Sequence, residues 1–321
     1  MNSSVVSIAI VQYPNSLRSA VYGLEELFAM ANHASKEQVI DVTFKAELIA
    51  FDTPNMPDPA PLDNKDASYA VVILPPSQLG DDYLTPPKAL IEWLGKQHQQ
   101  GSILASACAG AFILAKTGLL AGKPVTTHWG LAPLFRQYFP SVELAIDQIL
   151  VNQGDVITAG GMMSWLDLGL EVVSQLGSPA LMRLVGKMLV VDTGAREQRY
   201  YQQFSPSYQH GDGAIVALQH ELNNVYSQPM TIAGLARRAN LTERTLLRRF
   251  VKATGFKPTQ YLQRLRVQKA CELLEATIEP FESIAYQVGY EDAGACRKVF
   301  IKVMGLSPGE FRKRFVANRT A

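Results

Sequence analysis

Gly101-Ser-Ile-Leu-Ala-Ser-Ala-Cys108-Ala-Gly-Ala-Phe-Ile-Leu-Ala115 is the stretch from which the first half of the chain can be read. An apolar run, Ile103 to Ala107, meets a cysteine flanked by small residues, and an amphipathic helix is expected after it. Small side chains on both sides of Cys108 suit a tight strand-to-helix turn, where the backbone is strained and bulky groups would clash. A thiol there stands beside a helix N-terminus, whose partial positive charge favours thiolate. His128, next to Trp129, follows 20 positions later as a second catalytic candidate. Three roles are open for Cys108: nucleophile, buried residue of a tight turn, or ligand-pocket residue. His128 is either a ligand contact or a hydrogen-bonded histidine closing the pocket.

Around this stretch, strands and helices alternate. Val5–Val11 and Ala70–Leu74 are continuous apolar runs, as expected of strands buried on both faces of a parallel sheet, and Val42–Ala50 alternates weakly. Helical patterns cover Ala20–Ala31, Ala89–Gln100, Met163–Leu176 and Pro179–Val191. Asp52–Pro61 is a proline-rich loop, and Asn152-Gln-Gly-Asp155 turns between two short apolar runs, a hairpin. The alternation predicts an α/β fold, a parallel sheet with helices on both faces. A site is then expected beyond the carboxyl ends of the strands, where Cys108 falls. Met162, Met163 and Trp165, after Gly160-Gly161, either line that site or belong to the core.

Bulk properties bound the rest. A chain of 321 residues is too long for one ordinary core. Hydrophobic residues at 47% and charged residues at 18% mark a globular protein and exclude a disordered one. The amino terminus lacks the basic region and cleavage site of a signal peptide, and no apolar run reaches the roughly 20 residues that span a bilayer, so a cytoplasmic protein without a membrane partner is expected. Three cysteines, Cys108, Cys271 and Cys296, lie far apart, which argues against disulfides and against a clustered metal site. Neither a metal nor a cofactor is expected. The net charge of +1 hides an asymmetry: from Ala214 onward there are 17 Lys/Arg against 9 Asp/Glu, and before it 13 against 20. A basic back half suggests a polyanionic partner.

Residues 196–213 have no helical or strand period and are broken by Pro206, Gly211 and Gly213, so they read as a linker between domains at 1–195 and 214–321. Its aromatics are expected to pack against a domain. Beyond it lies an internal repeat: Phe250, Gly255, Pro258, Tyr261 and Arg264 recur 50 positions on as Phe300, Gly305, Pro308, Phe311 and Arg314. Each copy reads as two short helices joined by a turn. Thr231, Thr242 and Asp292 are the caps, Asn240 and Gly289 the turns. Leu235, Ala236, Leu246 and Phe250 form the inner face of the first copy, and Ile284, Ala285, Val288, Cys296 and Phe300 that of the second. Pro258–Ala276 is a rigid helical spacer with Tyr261, Leu262, Leu265, Ala270 and Leu273 inward. Cys271 and Cys296 read as structural. The outward faces of the second helices carry Arg244, Arg248 and Lys252, and Arg297, Lys298 and Lys302. A charge run is usually a solvated face. Two such helices at matched positions fit double-stranded DNA, whose successive major grooves on one face lie about 34 Å apart.

Two resemblances add to this reading. Ala105-Ser-Ala-Cys-Ala-Gly-Ala-Phe112, Gly122-Lys-Pro-Val-Thr-Thr-His-Trp129 and Ile157-Thr-Ala-Gly-Gly161 resemble the PfpI-type, class I glutamine amidotransferase-like superfamily over Val5–Val191. That likeness implies a flavodoxin-like sheet, with Cys108 and His128 at the positions of the family's nucleophile and histidine. Two departures oppose catalysis. Leu17-Arg18-Ser19-Ala20 holds no acid where hydrolase-like relatives carry one, and Pro76-Ser77 replaces a Gly-Gly pair that supplies oxyanion N–H groups. Leu235–Thr242, Leu247–Phe250, Ile284–Tyr290 and Gly305–Arg312 closely resemble the AraC family of transcription regulators over Ala214–Phe315. The family's DNA-reading positions fall on Arg244, Leu247 and Arg248, and on Ala293, Gly294, Arg297 and Lys298. The small Ala-Gly-Ala tip of the later helix implies phosphate contact or shape reading more than base readout there.

The pair of domains resembles the GlxA-type and arginine-regulator-type subgroup of AraC regulators. That resemblance implies a non-enzymatic, dimeric transcription activator meeting promoter DNA and RNA polymerase. Its small-molecule effector would be held by Cys108, Ala109, His128, Trp129, Gly160 and Met162. The alternatives are a cysteine-dependent amidase or hydrolase and a redox-sensing regulator, both using Cys108.

Overall fold

Ile8 and Ile10 pack into one core and Ala9 and Val11 into another, and all four are buried. This is the two-sided burial that the apolar run predicts. The computed structural model describes residues 4–51, 67–78, 80–194 and 196–316, so the loop expected at 52–61 lies outside the described residues. The chain divides into two compact units, Met1–Gln198 and Arg199–Ala321.

In the first unit the strands are β1 (Ser4–Gln12), β2 (Val42–Ala50), β3 (Val71–Leu74), β4 (Ile103–Ala107), β5 (Pro124–Val125), β6 (Glu143–Leu144), β7 (Leu150–Asn152) and β8 (Val156–Ala159). Six form one sheet in the order β2-β1-β3-β4-β8-β7; β5 and β6 pair separately. All neighbours in the six-stranded sheet are parallel except β7 against β8, which are antiparallel across the Asn152–Asp155 turn. The order 2-1-3-4-8 is the flavodoxin-like winding. The helices are α1 (Arg18–Glu37), α2 (Lys88–Gln99), α3 (Gly110–Ala115), α4 (Ala132–Tyr138), α5 (Trp165–Leu176) and α6 (Pro179–Leu189). Leu24, Leu168 and Leu181 bring α1, α5 and α6 onto one face of the sheet. Leu90, Phe112 and Phe135 bring α2, α3 and α4 onto the other.

One expectation changes. The helix after Cys108 is not amphipathic: α3 is six residues long and all six are buried. Its Phe112 ring meets those of Tyr83 and Phe135 edge-on. The sequence pattern does not predict the α4 helix or the β5–β6 pair.

The second unit contains α7 (Gly213–Val225), α8 (Ile232–Arg238), α9 (Glu243–Thr254), α10 (Pro258–Ala276), α11 (Phe281–Gln287), α12 (Ala293–Met304) and α13 (Pro308–Phe315). Leu235, Leu246 and Phe250 gather with Ile215 and Tyr261 into one core; Ile284, Cys296 and Phe300 gather with Val267, Cys271 and Phe311 into another. The spacer α10 serves both, through Tyr261 and Leu265 in the first and Val267, Ala270, Cys271 and Leu274 in the second. Leu262 and Leu273, expected inward, are only partly buried at its flanks. Phe204, from the aperiodic run, stands edge-on to Tyr261 in the first core. No helix among the described residues is long and apolar enough to cross a membrane.

Candidate functional site

The turn at Cys108 is built from three constraints. Cys108 has φ 54, in the left-handed region that costs an L side chain about 1–2 kcal/mol. Its N–H donates to Ala159 O (2.8 Å) and its carbonyl accepts from Thr127 Oγ1 (2.7 Å), so β8 and the Thr-Thr pair hold the strained residue in place. Gly110 is obligatory, since a Cβ there would lie 2.6 Å from Leu74 O and 2.9 Å from Pro75 O. The small residues around Cys108 thus answer to close backbone approach.

The chemistry at the thiol runs opposite to the expectation. Cys108 is buried, and burial pushes its thiol up to about 11, outweighing the lowering by the Ala109 N–H. A helix of six residues supplies too little field to offset the lost water. Tyr13 and Tyr83 crowd the same place; burial raises both phenols, and the proximity of Cys108 adds to it. The Tyr13 hydroxyl donates to Pro75 O (2.6 Å).

His128 is half-buried, which lowers its pKa and leaves it neutral at pH 7. Its Nδ1 accepts the Gly130 N–H (3.1 Å), and its ring lies 5.1 Å from that of Trp129. No hydrogen bond joins His128 to Cys108 among the described residues. The first turn of α1 carries no acid, and Pro76 O is taken by the Leu17 N–H (2.7 Å).

Of the six residues expected to form an effector site, Trp129 and Gly160 meet at a side chain that sequence reasoning missed. Gln198 Oε1 accepts the Trp129 N–H (2.9 Å), and its Nε2 donates to Thr127 O and Ile146 O (both 3.0 Å). A Cβ on Gly160 would stand 2.4 Å from that Nε2. Cys108 and Ala109 are buried at the turn, His128 flanks Trp129, and Met162 is exposed. Trp165 belongs to the core, against Gly23, whereas Met163 is exposed. Nothing in the polar run Arg196-Glu-Gln-Arg199 marks Gln198 out. Among the described residues no group of three or more His, Cys, Asp or Glu could hold a metal ion.

In the second unit the caps stand as the residues dictate. Thr231 Oγ1 accepts from Gly234 N, Thr242 Oγ1 from Thr245 N, and Asp292 from both Gly294 N and Ala295 N. Asn240 (φ 53) and Gly289 (φ 91) supply the left-handed turns. A Cβ on Gly289 would meet Ser227 O at 2.3 Å, so only glycine fits there. Arg244, Leu247, Arg248 and Lys252 are exposed along α9; Gly294, Arg297, Lys298 and Lys302 are exposed along α12, with Ala293 half-buried. Arg297 is engaged within the chain, bonded to Glu282 (2.8 Å) and lying 5.3 Å over the Phe281 ring. Arg249, on the inner side of α9, forks onto the Asp212 cap of α7 at 2.8 and 2.6 Å and holds that carboxyl below its ordinary range.

Comparison with known proteins follows the same division. Residues 32–175 match the DJ-1/PfpI family and residues 235–314 a helix-turn-helix domain. The chain is 26% identical over 225 residues to the HTH-type transcriptional regulator CdhR of Pseudomonas aeruginosa, covering 70% of this chain and 67% of that protein. It is 26% identical over 211 residues to the HTH-type transcriptional regulator GlxA of Rhizobium meliloti, covering 64% of each. The crystal structure of Drosophila melanogaster DJ-1beta, 20% identical, superposes on 59% of this chain and 100% of its own with a TM-score of 0.49. Matches to the curated relatives span about three fifths to two thirds of their length.

Proposed function

We propose that this chain, which joins a DJ-1/PfpI domain to an AraC-type helix-turn-helix domain, is a sequence-specific transcription regulator controlled by a small molecule. The carrying observation is the doubled, capped helix-turn-helix on one spacer, each copy exposing cations at matched positions. In this reading α9 and α12 enter successive major grooves of promoter DNA. Arg244, Leu247, Arg248 and Lys252 act from α9, and Ala293, Gly294, Arg297, Lys298 and Lys302 from α12. The acidic first unit holds the effector near Trp129, His128 and Gly160, over Cys108 and Ala109, with Met162 at the rim. It also carries the homodimer contact, and activation proceeds through RNA polymerase in the cytoplasm.

Selection from a random duplex pool with the full chain tests the DNA half. We expect an enriched bipartite sequence, its two parts one helical turn apart, and its loss in the double variant Arg248→Ala/Lys298→Ala. No enrichment, or wild-type binding by the double variant, would overturn the reading.

One observation favours an enzyme instead: the positive φ at Cys108. Against it stand the protonated thiol, a neutral His128 bonded elsewhere, the acid-free first turn of α1 and Pro76, which has no N–H at a place where hydrolase-like relatives carry a donor. Each lost oxyanion donor removes about 2.7–4 kcal/mol of transition-state stabilisation. The raised thiol pKa also sets a sign. The neutral form is favoured by folding, so its contribution to stability is complete below the unfolded value near 9 and is lost as the pH climbs through about 11. We expect no Cys108 thiolate absorbance at neutral pH and slow alkylation. Turnover of amide, ester or α-oxoaldehyde substrates that vanishes in Cys108→Ala would establish the enzyme, and DNA affinity lost on mild oxidation would establish a redox switch.

A further inference from the structure

We infer that the buried slot around the Gln198 side chain is a receptor for a primary carboxamide, filled here by the chain's own Gln198, and that small amides compete for it. The lining of the slot selects this group. It offers one N–H donor, from Trp129 (2.9 Å), two carbonyl acceptors, Thr127 O and Ile146 O (both 3.0 Å), and a longer contact from Gln198 Nε2 to Thr126 Oγ1 (3.4 Å). A carboxamide has one acceptor oxygen and two N–H groups, so every partner is satisfied. A carboxylate would face two carbonyl oxygens with no proton to give them. An ammonium would leave the Trp129 N–H without the acceptor that Gln198 Oε1 gives it. Buried polar groups left unmatched in these ways are strongly disfavoured.

The fit is steric as well as polar. Gln198 is 2% exposed, and Gly160 closes the wall so tightly that a Cβ would come 2.4 Å from the amide nitrogen. The receptor also touches the turn at Cys108, because Thr127 accepts from the carboxamide through its carbonyl and donates to Cys108 O through its hydroxyl. Gln198 is the last residue of the first unit, and its N–H is pinned to Asp147 O (2.8 Å). An amide that replaces its side chain therefore removes the side-chain bonds to Trp129, Thr127 and Ile146 from the end of that unit, where the chain passes into the DNA-binding half, and leaves the backbone bond to Asp147 O in place. This last consequence rests on the regulator reading above; the amide site does not.

The test uses the full chain and propionamide, with propionate and N,N-dimethylpropionamide as controls that lack the two N–H donors. Gln198→Ala is expected to melt below wild type and to regain stability saturably with propionamide, and with neither control. Wild type should respond only at higher amide concentration, since a tethered ligand competes at a high effective concentration. Gly160→Ala, whose methyl group fills the same space, should gain nothing. Equal shifts from propionamide and propionate, or rescue of Gly160→Ala, would overturn the assignment. Should Gln198→Ala not fold, Gln198→Glu serves: it keeps the shape but turns an oxygen on Thr127 and Ile146. Faster tryptic cleavage after Arg199 than in wild type is then expected, and an unchanged rate refutes the site. All readouts are taken without DNA, so failure here is distinct from failure of the DNA selection.

Discussion

The two helix-turn-helix copies share a frame and differ in what they present. Phe250 and Phe300 fill equivalent core positions, Gly255 and Gly305 end their helices with φ 76 and 73, and Pro258 and Pro308 start the next ones. The turns already diverge: four residues (239–242) separate α8 from α9, and five (288–292) separate α11 from α12. On the outer faces the divergence is larger. Thr242 caps a helix whose first exposed turns carry Arg244, Leu247 and Arg248, and these long side chains are exposed. Asp292 caps one that opens Ala293-Gly294-Ala295, and its first cation, Arg297, is bonded to Glu282. Duplication thus kept the positions that set packing and left free those that face outward. The first copy has the reach for base edges; the second has a surface suited to a phosphate backbone.

The largest expected effect tests the shared frame. Phe250→Ala and Phe300→Ala should each cost about 3–5 kcal/mol, read by denaturant unfolding. Costs that differ several-fold would mean that the two cores are not equivalent. Next come the unlike faces. Arg248→Ala should weaken binding to a selected site by about 1–3 kcal/mol and relax its sequence preference. Lys298→Ala should weaken all sequences alike and reduce the salt slope by about one. The comparison breaks if Lys298→Ala is the variant that changes sequence preference. The smallest effect lies in the caps. Thr242→Ala should cost about 1 kcal/mol. Asp292→Ala should cost somewhat more, because Asp292 meets two N–H groups and adds a favourable charge at the helix start. Thermal melting checks both.

Much of this was legible in the residues. The apolar runs at Val5, Ala70 and Ile103 become the central strands, and the caps and turns of both repeats stand where Thr, Asp, Asn and Gly announce them. What escaped depends on distant partners. The six residues of α3 are too few for a period to separate a buried helix from a half-exposed one. A thiol beside a helix start looks acidic until Tyr13 and Tyr83, remote in sequence, exclude water from it. Arg297 looks like a free reader until Glu282 arrives across the turn. Gln198 lies in a polar run with no pattern at all, and only the fold puts two carbonyls and an N–H around it.

The spacer α10 has a consequence for how such a chain can change. It is 19 residues long and is gripped by one core at its start and the other towards its end. One residue inserted between Leu265 and Val267 would turn everything beyond it by about 100° and advance it by about 1.5 Å. Caps and charges of the second copy would survive that insertion, its contacts with Tyr226 and Ser227 would be lost, and α12 would face a different side of any duplex that α9 had met. Side chains on the two outer helices can drift independently, one substitution at a time. The register between them is an integer, fixed by a count of residues in a helix that need not touch DNA.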